Sequence, residues 1–264
     1  MKEISLDKPI AHGRTADVYD WDDGHVLKLF HNWFELENIE YELKIARAVR
    51  AGDVKAPAVE ELIRVDGRNG LIYERVDGKN MFEVWQQKPW KVFAFAGKLA
   101  ELHMQMHSNI FQADVPEQRT KLQQKIQQAS ALPDDLKIFL LKKLESMPDG
   151  DRVCHGDFHP GNVLVAGHST SIIDWIDATR GNPLADVART SILLLGIAEN
   201  QGSNFAMKGF VKVFHAAYLR HYFHLHPSGV EQYRHWLPIV AGARLNENIP
   251  ELEKWLVEKA RQVR

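Results

Sequence analysis

Three oxygen-bearing side chains near the middle of the chain have the types and spacing that phosphoryl transfer needs. Asp157 and Asn162 lie in the sequence HGDFHPGN at residues 155–162, and Asp174 follows a short apolar segment. In this chemistry one carboxylate takes the proton of the acceptor, while an amide oxygen and a second carboxylate hold magnesium against the nucleotide phosphates. We therefore expect Asp157 to be the catalytic base, and Asn162 and Asp174 to be magnesium ligands.

The segment between Asn162 and Asp174 predicts that these two residues lie close together. A short apolar strand is predicted at residues 171–173, after a predicted turn at residues 166–168. A hairpin through that turn brings the returning chain, and with it Asp174, opposite Asn162. A single aspartate in a His-Gly-Asp turn usually only caps the loop, so the prediction depends on the full spacing and on the second aspartate.

Composition limits the class of protein. The chain has 264 residues, 45% of them hydrophobic, which is enough for a sizeable core in one large domain or two lobes. Its formal net charge is -2 and it has no run of basic residues, so we expect no nucleic-acid or membrane partner. The lone cysteine, Cys154, excludes an internal disulfide, and residues 1–13 lack the apolar core of a secretory signal. The expected location is cytoplasmic, and the oligomeric state stays open.

Hydrophobic periodicity divides the chain into a strand-rich start and a helical remainder. Strands are predicted at residues 16–21, 26–30, 59–65 and 71–76, with one helix at residues 36–49. Further helices are predicted at residues 90–106, 118–129, 134–146, 183–198, 205–224, 230–243 and 250–263. The pattern predicts an α+β fold with a small β-rich N-terminal lobe at residues 1–78 and a larger, mainly helical C-terminal lobe at residues 79–264. The cleft between the lobes is the expected ligand site.

The motif as a whole resembles that of a known family. His155, Asp157, His159 and Asn162, followed by Ile-Asp-Trp at residues 173–175, are similar to the signature of the aminoglycoside phosphotransferase and choline kinase family. The resemblance covers most of the chain. It implies a protein-kinase-like fold, ATP and Mg²⁺ as cofactors, the roles assigned above to the three oxygen-bearing side chains, and His155 as a support beneath the loop.

Lys28 is the predicted partner of the nucleotide phosphates. It lies in the middle of the second predicted strand, where a lysine can reach into the cleft, although most strand lysines are simply solvated. A glutamate on the following helix is expected to pair with it. The spacing from the glutamate to a late apolar residue in the family favours Glu42. The alternatives are Glu35, Glu37 and Glu40.

Two further segments are expected to contact the nucleotide. Residues 12–18 resemble a phosphate-covering turn, with backbone amides near Gly13 and the hydroxyl of Thr15 as possible donors. This turn has one glycine where protein kinases have three. The segment from Glu74 to Val76 is expected to be the strand between the lobes, whose backbone pairs with the adenine edge.

Two further aspartates follow the motif. Asp186 opens a long apolar helix, where a carboxylate is favoured by the helix N-terminus. The family comparison implies that Asp186 is also a buried group that hydrogen-bonds the backbone of the loop and keeps Asp157 aimed. Asp177 is either an acid on the substrate side or a solvated loop residue.

Two histidine patterns admit a different interpretation. His155, Asp157 and His159 could form the ligand set of a metal-dependent hydrolase. His103 and His107 have the helical spacing of a zinc pair, but no glutamate follows His103 as a zinc-peptidase helix requires. Another alternative is a catalytically idle, nucleotide-binding kinase-like module, which would have lost one of the residues assigned above.

The charge of the later helices bears on the acceptor. Residues 205–244 contain five cationic side chains and one acidic side chain, a formal balance of +4. The cations are Lys208, Lys212, Arg220, Arg234 and Arg244, and the acid is Glu231. This sign does not suit a polycationic aminoglycoside. We expect a phosphotransferase that acts on a hydroxyl of a small neutral or anionic acceptor, such as a sugar or a metabolite alcohol, with an aminoglycoside antibiotic kinase as an alternative.

Overall fold

The computed structural model describes residues 8–52, 54–167, 169–200 and 204–262. It has the predicted α+β fold, with an antiparallel sheet near the N-terminus followed by a mostly helical chain. Three predicted features extend beyond the described residues. They are residues 1–7 of the N-terminal segment, His168 in the turn at 166–168, and Val263 at the end of the last helix.

The N-terminal sheet has five antiparallel strands. They are β1 (Ala11–His12), β2 (Ala16–Asp22), β3 (His25–Phe30), β4 (Val59–Val65) and β5 (Arg68–Glu74), and helix α1 (Leu36–Ala51) connects β3 to β4. The order across the sheet is β1-β2-β3-β5-β4, so β3 lies in the middle. Ile39 on the buried stripe of α1 packs with Phe30 and Leu71 of the sheet. This packing fixes α1 against the strand that carries Lys28.

Strand β5 begins and ends earlier than the predicted range of 71–76. Asp66 and Gly67 have φ angles of 48° and 79°, so they form a two-residue hairpin turn, and the strand resumes at Arg68. Strand pairing ends at Glu74. The predicted turn at residues 66–70 was too long, because its last three residues tolerate turn geometry but are used in strand pairing.

Short strands after residue 78 frame the motif. They are β6 (Lys79–Asn80), β7 (Arg152–Cys154), β8 (Val163–Ala166), β9 (Ser169–Ile172) and β10 (Thr179–Gly181). Strands β8 and β9 form the predicted hairpin, β6 pairs with the other edge of β8, and β7 pairs with β10. The sequence did not predict β6, β7 or β10, because two or three residues are too few to show a period.

The helical part follows the predicted boundaries within two residues. Its helices are α2 (Met81–Gln87), α3 (Val92–His107), α4 (Gln118–Gln128), α5 (Asp134–Ser146), α6 (Pro183–Glu199), α7 (Phe205–Leu225), α8 (Val230–Arg244) and α9 (Pro250–Arg261). Only α2 was not predicted. The Asn182 side chain caps α6 by accepting from the amide of Leu184 at 2.9 Å.

Helix α6 lies at the centre of the helical part. It packs against α7 and α8 and is buried on nearly every side, as its apolar composition favours. Its first turn carries Asp186 and points at the start of the motif. Within the described ranges, every helix is too short or too polar to cross a lipid bilayer.

Candidate active site

The motif forms a loop between β7 and β8, and the loop brings Asp157 and Asn162 together. The Asn162 amide nitrogen donates to the Asp157 backbone carbonyl at 2.9 Å and lies 3.3 Å from its Oδ2 atom. The backbone amide of Ile173 donates to the Asn162 carbonyl at 3.0 Å. The hairpin therefore places Asp174 beside Asn162, as the sequence predicted.

Asp174 has an unusual backbone conformation that local contacts enforce. Its φ angle is 65°, a left-handed value that aspartate tolerates better than most residues. On one side the Trp175 indole nitrogen donates to the Ile172 carbonyl at 2.8 Å. On the other, the His155 Nε2 atom lies 3.0 Å from the Ile173 carbonyl. These contacts hold the backbone and leave the Asp174 side chain 44% exposed, where it can meet a ligand.

His155 joins the two acidic segments. Its Nδ1 atom accepts from the Asp157 amide at 3.2 Å, so the proton of a neutral ring belongs on Nε2, which donates to Ile173. The ring is fully buried and contacts Trp175 with 4.5 Å between ring centroids. These contacts are the kind expected of a support beneath the loop.

Lys28 connects the sheet, helix α1 and the metal-ligand candidate. Its Nζ atom donates to Glu42 Oε1 at 2.7 Å and lies 3.5 Å from Asp174 Oδ1. Tyr73 also donates to Glu42, at 2.8 Å. Burial lowers the pKa of Lys28, but the Glu42 and Asp174 carboxylates outweigh it, so the pKa lies above its ordinary value. The lysine is therefore charged and held between Glu42 and Asp174.

The glutamate on α1 can be identified from this geometry. Glu42 is 3% exposed and contacts Lys28. The three alternatives, Glu35, Glu37 and Glu40, are exposed. The helical period explains the difference, because Glu42 shares the buried face of α1 with Ile39 and Ile45.

The turn expected over the phosphates is closed by a backbone hydrogen bond of its own. The Gly13 amide donates to the Ala16 carbonyl at 2.9 Å, so it closes the turn between β1 and β2. The Thr15 carbonyl accepts from the His31 amide at 2.9 Å, and the Thr15 side chain is half-buried. Any backbone donor to a nucleotide in this turn must therefore come from beyond Gly13.

Two of the three backbone amides from Glu74 to Val76 are already hydrogen-bonded within the part of the chain that the structure describes. The Glu74 amide donates to the Ala58 carbonyl at 2.8 Å, and the Arg75 amide donates to the Gly24 carbonyl at 2.7 Å. Within the described ranges, the hydrogen bonds do not include the amide of the half-buried Val76. Val76 is thus better placed than Glu74 to donate to a nucleotide base.

Asp186 lies directly beneath the loop. Its carboxylate accepts from the His155 amide at 2.7 Å and from the Gly156 amide at 2.9 Å. Gly156 has a φ of 78°, and a Cβ atom there would lie 2.5 Å from the Asp177 carbonyl, so only glycine fits. The predicted contact between Asp186 and the loop backbone is present.

A histidine pair that the sequence did not assign completes the network around Asp186. His103 and His107 approach its Oδ2 atom through Nε2 at 3.1 and 3.3 Å. Their Nδ1 atoms lie 2.6 and 2.9 Å from the hydroxyls of Tyr218 and Tyr222, respectively. Every ring nitrogen therefore has a protein partner. The matching i, i+4 spacings on α3 and α7 are the signal that could have revealed this network.

The network fixes the charges beneath the loop. Burial, together with the neighbouring His107, lowers the pKa of His103 to about 3. Burial also lowers the pKa of His107. Burial would raise the pKa of Asp186, but the hydrogen bonds from the two histidines outweigh it, and the pKa lies well below its ordinary value. At neutral pH the arrangement is a carboxylate between two neutral imidazoles.

Arg189, one turn after Asp186 on α6, is a second group that the sequence did not assign. Its Nε atom donates to the Gly156 carbonyl at 2.9 Å, and its Nη2 atom lies 3.5 Å from Asp157 Oδ1. Burial would raise the pKa of Asp157, but the His159 hydrogen bond and the Arg189 charge lower it to about 2. Asp157 is therefore ionised and ready to accept a hydrogen bond.

A small cavity opens beside the loop between α4, α6 and the end of α8. Its volume is about 50 Å³, and it is bounded by Gly156, Asp177, Arg189 and Arg244. Asp177 is held by Lys121 at 2.7 Å, so it is not a freely solvated loop acid. A larger, open depression of about 720 Å³ between α5 and α8 is lined by none of the predicted site residues.

Comparison with known proteins places this geometry in a family. Residues 7–236 match the phosphotransferase enzyme family. An aminoglycoside-3'-phosphotransferase of type VIII is similar in structure with 19% identity, 92% of each chain covered and a TM-score of 0.63. The ADP-bound aminoglycoside phosphotransferase APH(2'')-Ib has 16% identity, with 99% of this chain and 94% of that chain covered and a TM-score of 0.57.

A third similar structure is APH(3'')-Id from Streptomyces rimosus, solved with ADP and streptomycin. It has 16% identity, with 89% of this chain and 91% of that chain covered and a TM-score of 0.54. Identities this low establish the fold and leave the substrate open. Among curated protein sequences, none matches this chain. The family match spans most of the sequence and includes the whole motif, so the chain belongs to the phosphotransferase enzyme family.

Proposed function

We propose that this protein moves the γ-phosphoryl group of ATP to a hydroxyl of a small acceptor. The observation that carries the proposal is the arrangement around Lys28, whose Nζ atom lies 2.7 Å from Glu42 and 3.5 Å from Asp174, while Asn162 binds Asp157. Similar structures contain ADP, which supports an adenine nucleotide as the donor. In this proposal the lobes at residues 1–78 and 79–264 enclose the nucleotide, in a cytoplasmic setting.

The oxygen donors of the site suit magnesium. Asn162 commits its amide nitrogen to Asp157, which leaves its Oδ1 atom for a cation, and the Asp174 carboxylate is partly exposed. Such hard oxygen ligands are the ones that Mg²⁺ prefers. Bound there, Mg²⁺ would neutralise charge on the nucleotide phosphates. Lys28 would contribute a fixed positive charge on the same side, held in place by Glu42.

Asp157 orients the acceptor. Its ionised carboxylate accepts a hydrogen bond from the attacking hydroxyl, and it takes the proton as the new phosphorus–oxygen bond forms and the bond to the β-phosphate oxygen breaks. A carboxylate with a pKa of about 2 is a weak base, so orientation and late proton acceptance are its main contributions. Asn162 and Arg189 hold the carboxylate from two sides.

The alternatives fit the contacts less well. A metal hydrolase at His155, Asp157 and His159 would need free ring nitrogens, but both nitrogens of His155 are hydrogen-bonded and His159 Nδ1 accepts from the Gly161 amide at 3.0 Å. An idle nucleotide-binding module would not need Asp157 to be ionised and aimed. An aminoglycoside kinase would need carboxylates around the acceptor, whereas residues 205–244 carry a balance of +4.

The test is a screen of purified protein with Mg-ATP against a library of sugars, hydroxy acids, amino alcohols and aminoglycosides. The expected result is ADP formation that depends on one acceptor class, with a new phosphomonoester signal in the ³¹P NMR spectrum. Asp157→Ala serves as the control for contaminating kinases. Zinc-dependent hydrolysis without nucleotide, or ADP formation that is equal in the variant, would contradict the proposal.

A further inference from the structure

A guanidinium beside the loop is buried, and two of its three nitrogens make no hydrogen bond to the residues that the structure describes. Arg244 ends α8 and is 8% exposed. Its Nε and Nη1 atoms are inaccessible to water and find no acceptor in the ranges that the structure describes. Glu247 Oε2 lies 3.5 Å from Nε without forming a hydrogen bond. Burying a cation in this way is costly, and an oxyanion bound in the cavity would supply the missing acceptor.

The acids around Arg244 are engaged by other cations. Asp177 lies 2.7 Å from Lys121 and 3.4 Å from Lys125. Glu247 lies 2.5 Å from Arg189, which also faces Asp157. Burial and the like charge of Arg189 lower the pKa of Arg244 to about 10, so it remains protonated at neutral pH. Arg244 thus shares its nearest carboxylate, Glu247, with Arg189 and makes no hydrogen bond to it.

The cavity has the size and position of a subsite. Its volume of about 50 Å³ accommodates a group of a few heavy atoms and excludes a whole sugar ring. Lys121 and Lys125 line it from α4, opposite Arg244 at the end of α8. Gly156 also lines it, and the next residue is Asp157. A group bound in the cavity is therefore within the length of a small metabolite from the predicted base.

We infer that Arg244, together with Lys121 and Lys125, binds an oxyanion carried by the acceptor, either a carboxylate or a phosphate. This inference rests on the proposed phosphotransfer and narrows its acceptor to an anionic alcohol. The oxyanion supplies the acceptor that Arg244 lacks, and the hydroxyl of the same molecule reaches Asp157. The ammonium groups of an aminoglycoside would meet like charge at this position.

The binding test uses nucleotide-free protein, so its result does not depend on whether phosphotransfer is found. Thermal unfolding is measured with two matched probe pairs, gluconate against sorbitol and glycerol 3-phosphate against glycerol. We expect an anionic probe to raise Tm and its neutral partner not to, and the responding pair distinguishes a carboxylate from a phosphate. Absence of any shift with both anions would overturn the inference.

Variants locate the effect. Arg244→Met is expected to weaken binding of the responding anion about 10- to 100-fold, as for loss of hydrogen bonds to a charged group. Arg244→Lys keeps the positive charge and is expected to retain part of the affinity. Partial binding by this variant would show that the loss in Arg244→Met comes from the missing charge and not from misfolding. Arg234→Met, an exposed arginine on the same helix, is the matched control and should bind as wild type does. Equal affinity in Arg244→Met and wild type would overturn the assignment.

Turnover separates this inference from the proposed function. Phosphorylation of an anionic acceptor is expected to fall with Arg244→Met mainly through a higher KM. If a neutral acceptor is turned over equally by wild type and Arg244→Met, the phosphotransfer stands and the anion subsite fails. If an anion binds through Arg244 but no acceptor is phosphorylated with ATP, the subsite stands and the proposed function fails.

Discussion

Buried charge is stabilised in opposite ways on the two sides of the loop at residues 155–162. Beneath the loop, the Asp186 carboxylate accepts hydrogen bonds from two backbone amides and from His103 and His107, and each histidine also contacts a tyrosine. Beside the loop, Arg244 is almost as deeply buried, and among the described residues its Nε and Nη1 atoms make no hydrogen bond, although Glu247 lies 3.5 Å from Nε. A saturated network holds the loop in one conformation, whereas an unsaturated cation is suited to binding a ligand. Burial alone would not have distinguished these roles.

The largest expected effect is on turnover, at the open face of the loop. Asp174→Ala should abolish measurable phosphotransfer because it removes a proposed magnesium ligand and a neighbour of Lys28. Asp157→Ala should lower kcat about 100-fold, since its weakly basic carboxylate mainly orients the acceptor. Steady-state ADP release with the acceptor from the screen measures both. Full activity of either variant would remove that residue from the mechanism.

The next largest effect is on stability, beneath the loop. Asp186→Asn should lower the free energy of unfolding by about 3 to 5 kcal/mol, because it breaks a buried charged network and leaves its donors unpaired. Asp135→Asn, on the exposed first turn of α5, is the control and should change it by less than about 0.5 kcal/mol. Urea unfolding followed by fluorescence makes the comparison. A small effect for Asp186→Asn would show that the network is not a scaffold.

The same network predicts a pH dependence. His103 has a folded pKa of about 3, below the ordinary 6.5, so the unfolded state binds its proton first as the pH falls. Stability should therefore be fully present above pH 6.5 and decline below it, by up to about 1.4 kcal/mol per pH unit for this group. His103→Gln, which keeps a donor for Asp186, should flatten the decline between about pH 6 and 4. The unfolding free energy is measured by urea unfolding at each pH. If it falls with pH as steeply in His103→Gln as in wild type, His103 is not the source of the pH dependence.

The smallest expected effect is again on the free energy of unfolding, and its sign is opposite to that for Asp186→Asn. Arg244→Met should leave stability unchanged or raise it by about 1 kcal/mol, because it replaces an unpaired buried cation with an apolar side chain. The urea experiment used for Asp186→Asn measures it under the same conditions. A loss of more than about 2 kcal/mol would show that Arg244 is part of the scaffold, and the contrast between the two sides would disappear.

Much of the architecture could be predicted because its signals are local. The long helices follow from the helical period, and Asp157, Asn162 and Asp174 follow from their spacing around a hairpin. Strands β6, β7 and β10 could not be predicted, since two or three residues have no measurable period. Their partners are also distant in sequence.

The supporting residues of the site show a similar limit. His103 and His107 were recognised as a spaced pair, but their partner Asp186 lies 83 and 79 residues away. Arg189 and Arg244 become functional candidates only when α6 and α8 meet beside the loop. Glu42 could be preferred over its neighbours because the helical period and the family spacing agree. For the residues that were missed, the sequence does not show which distant elements pack together.

The most direct test of the account is the dissociation constant of Mg-ATP for Asp157→Ala and Asp174→Ala, measured by titration calorimetry. If Asp174 helps to hold the metal and Asp157 orients the acceptor, Asp157→Ala should bind Mg-ATP within about threefold of wild type, and Asp174→Ala should bind it at least about tenfold more weakly. Equal affinities in the two variants would contradict the division of roles on which the proposed mechanism depends.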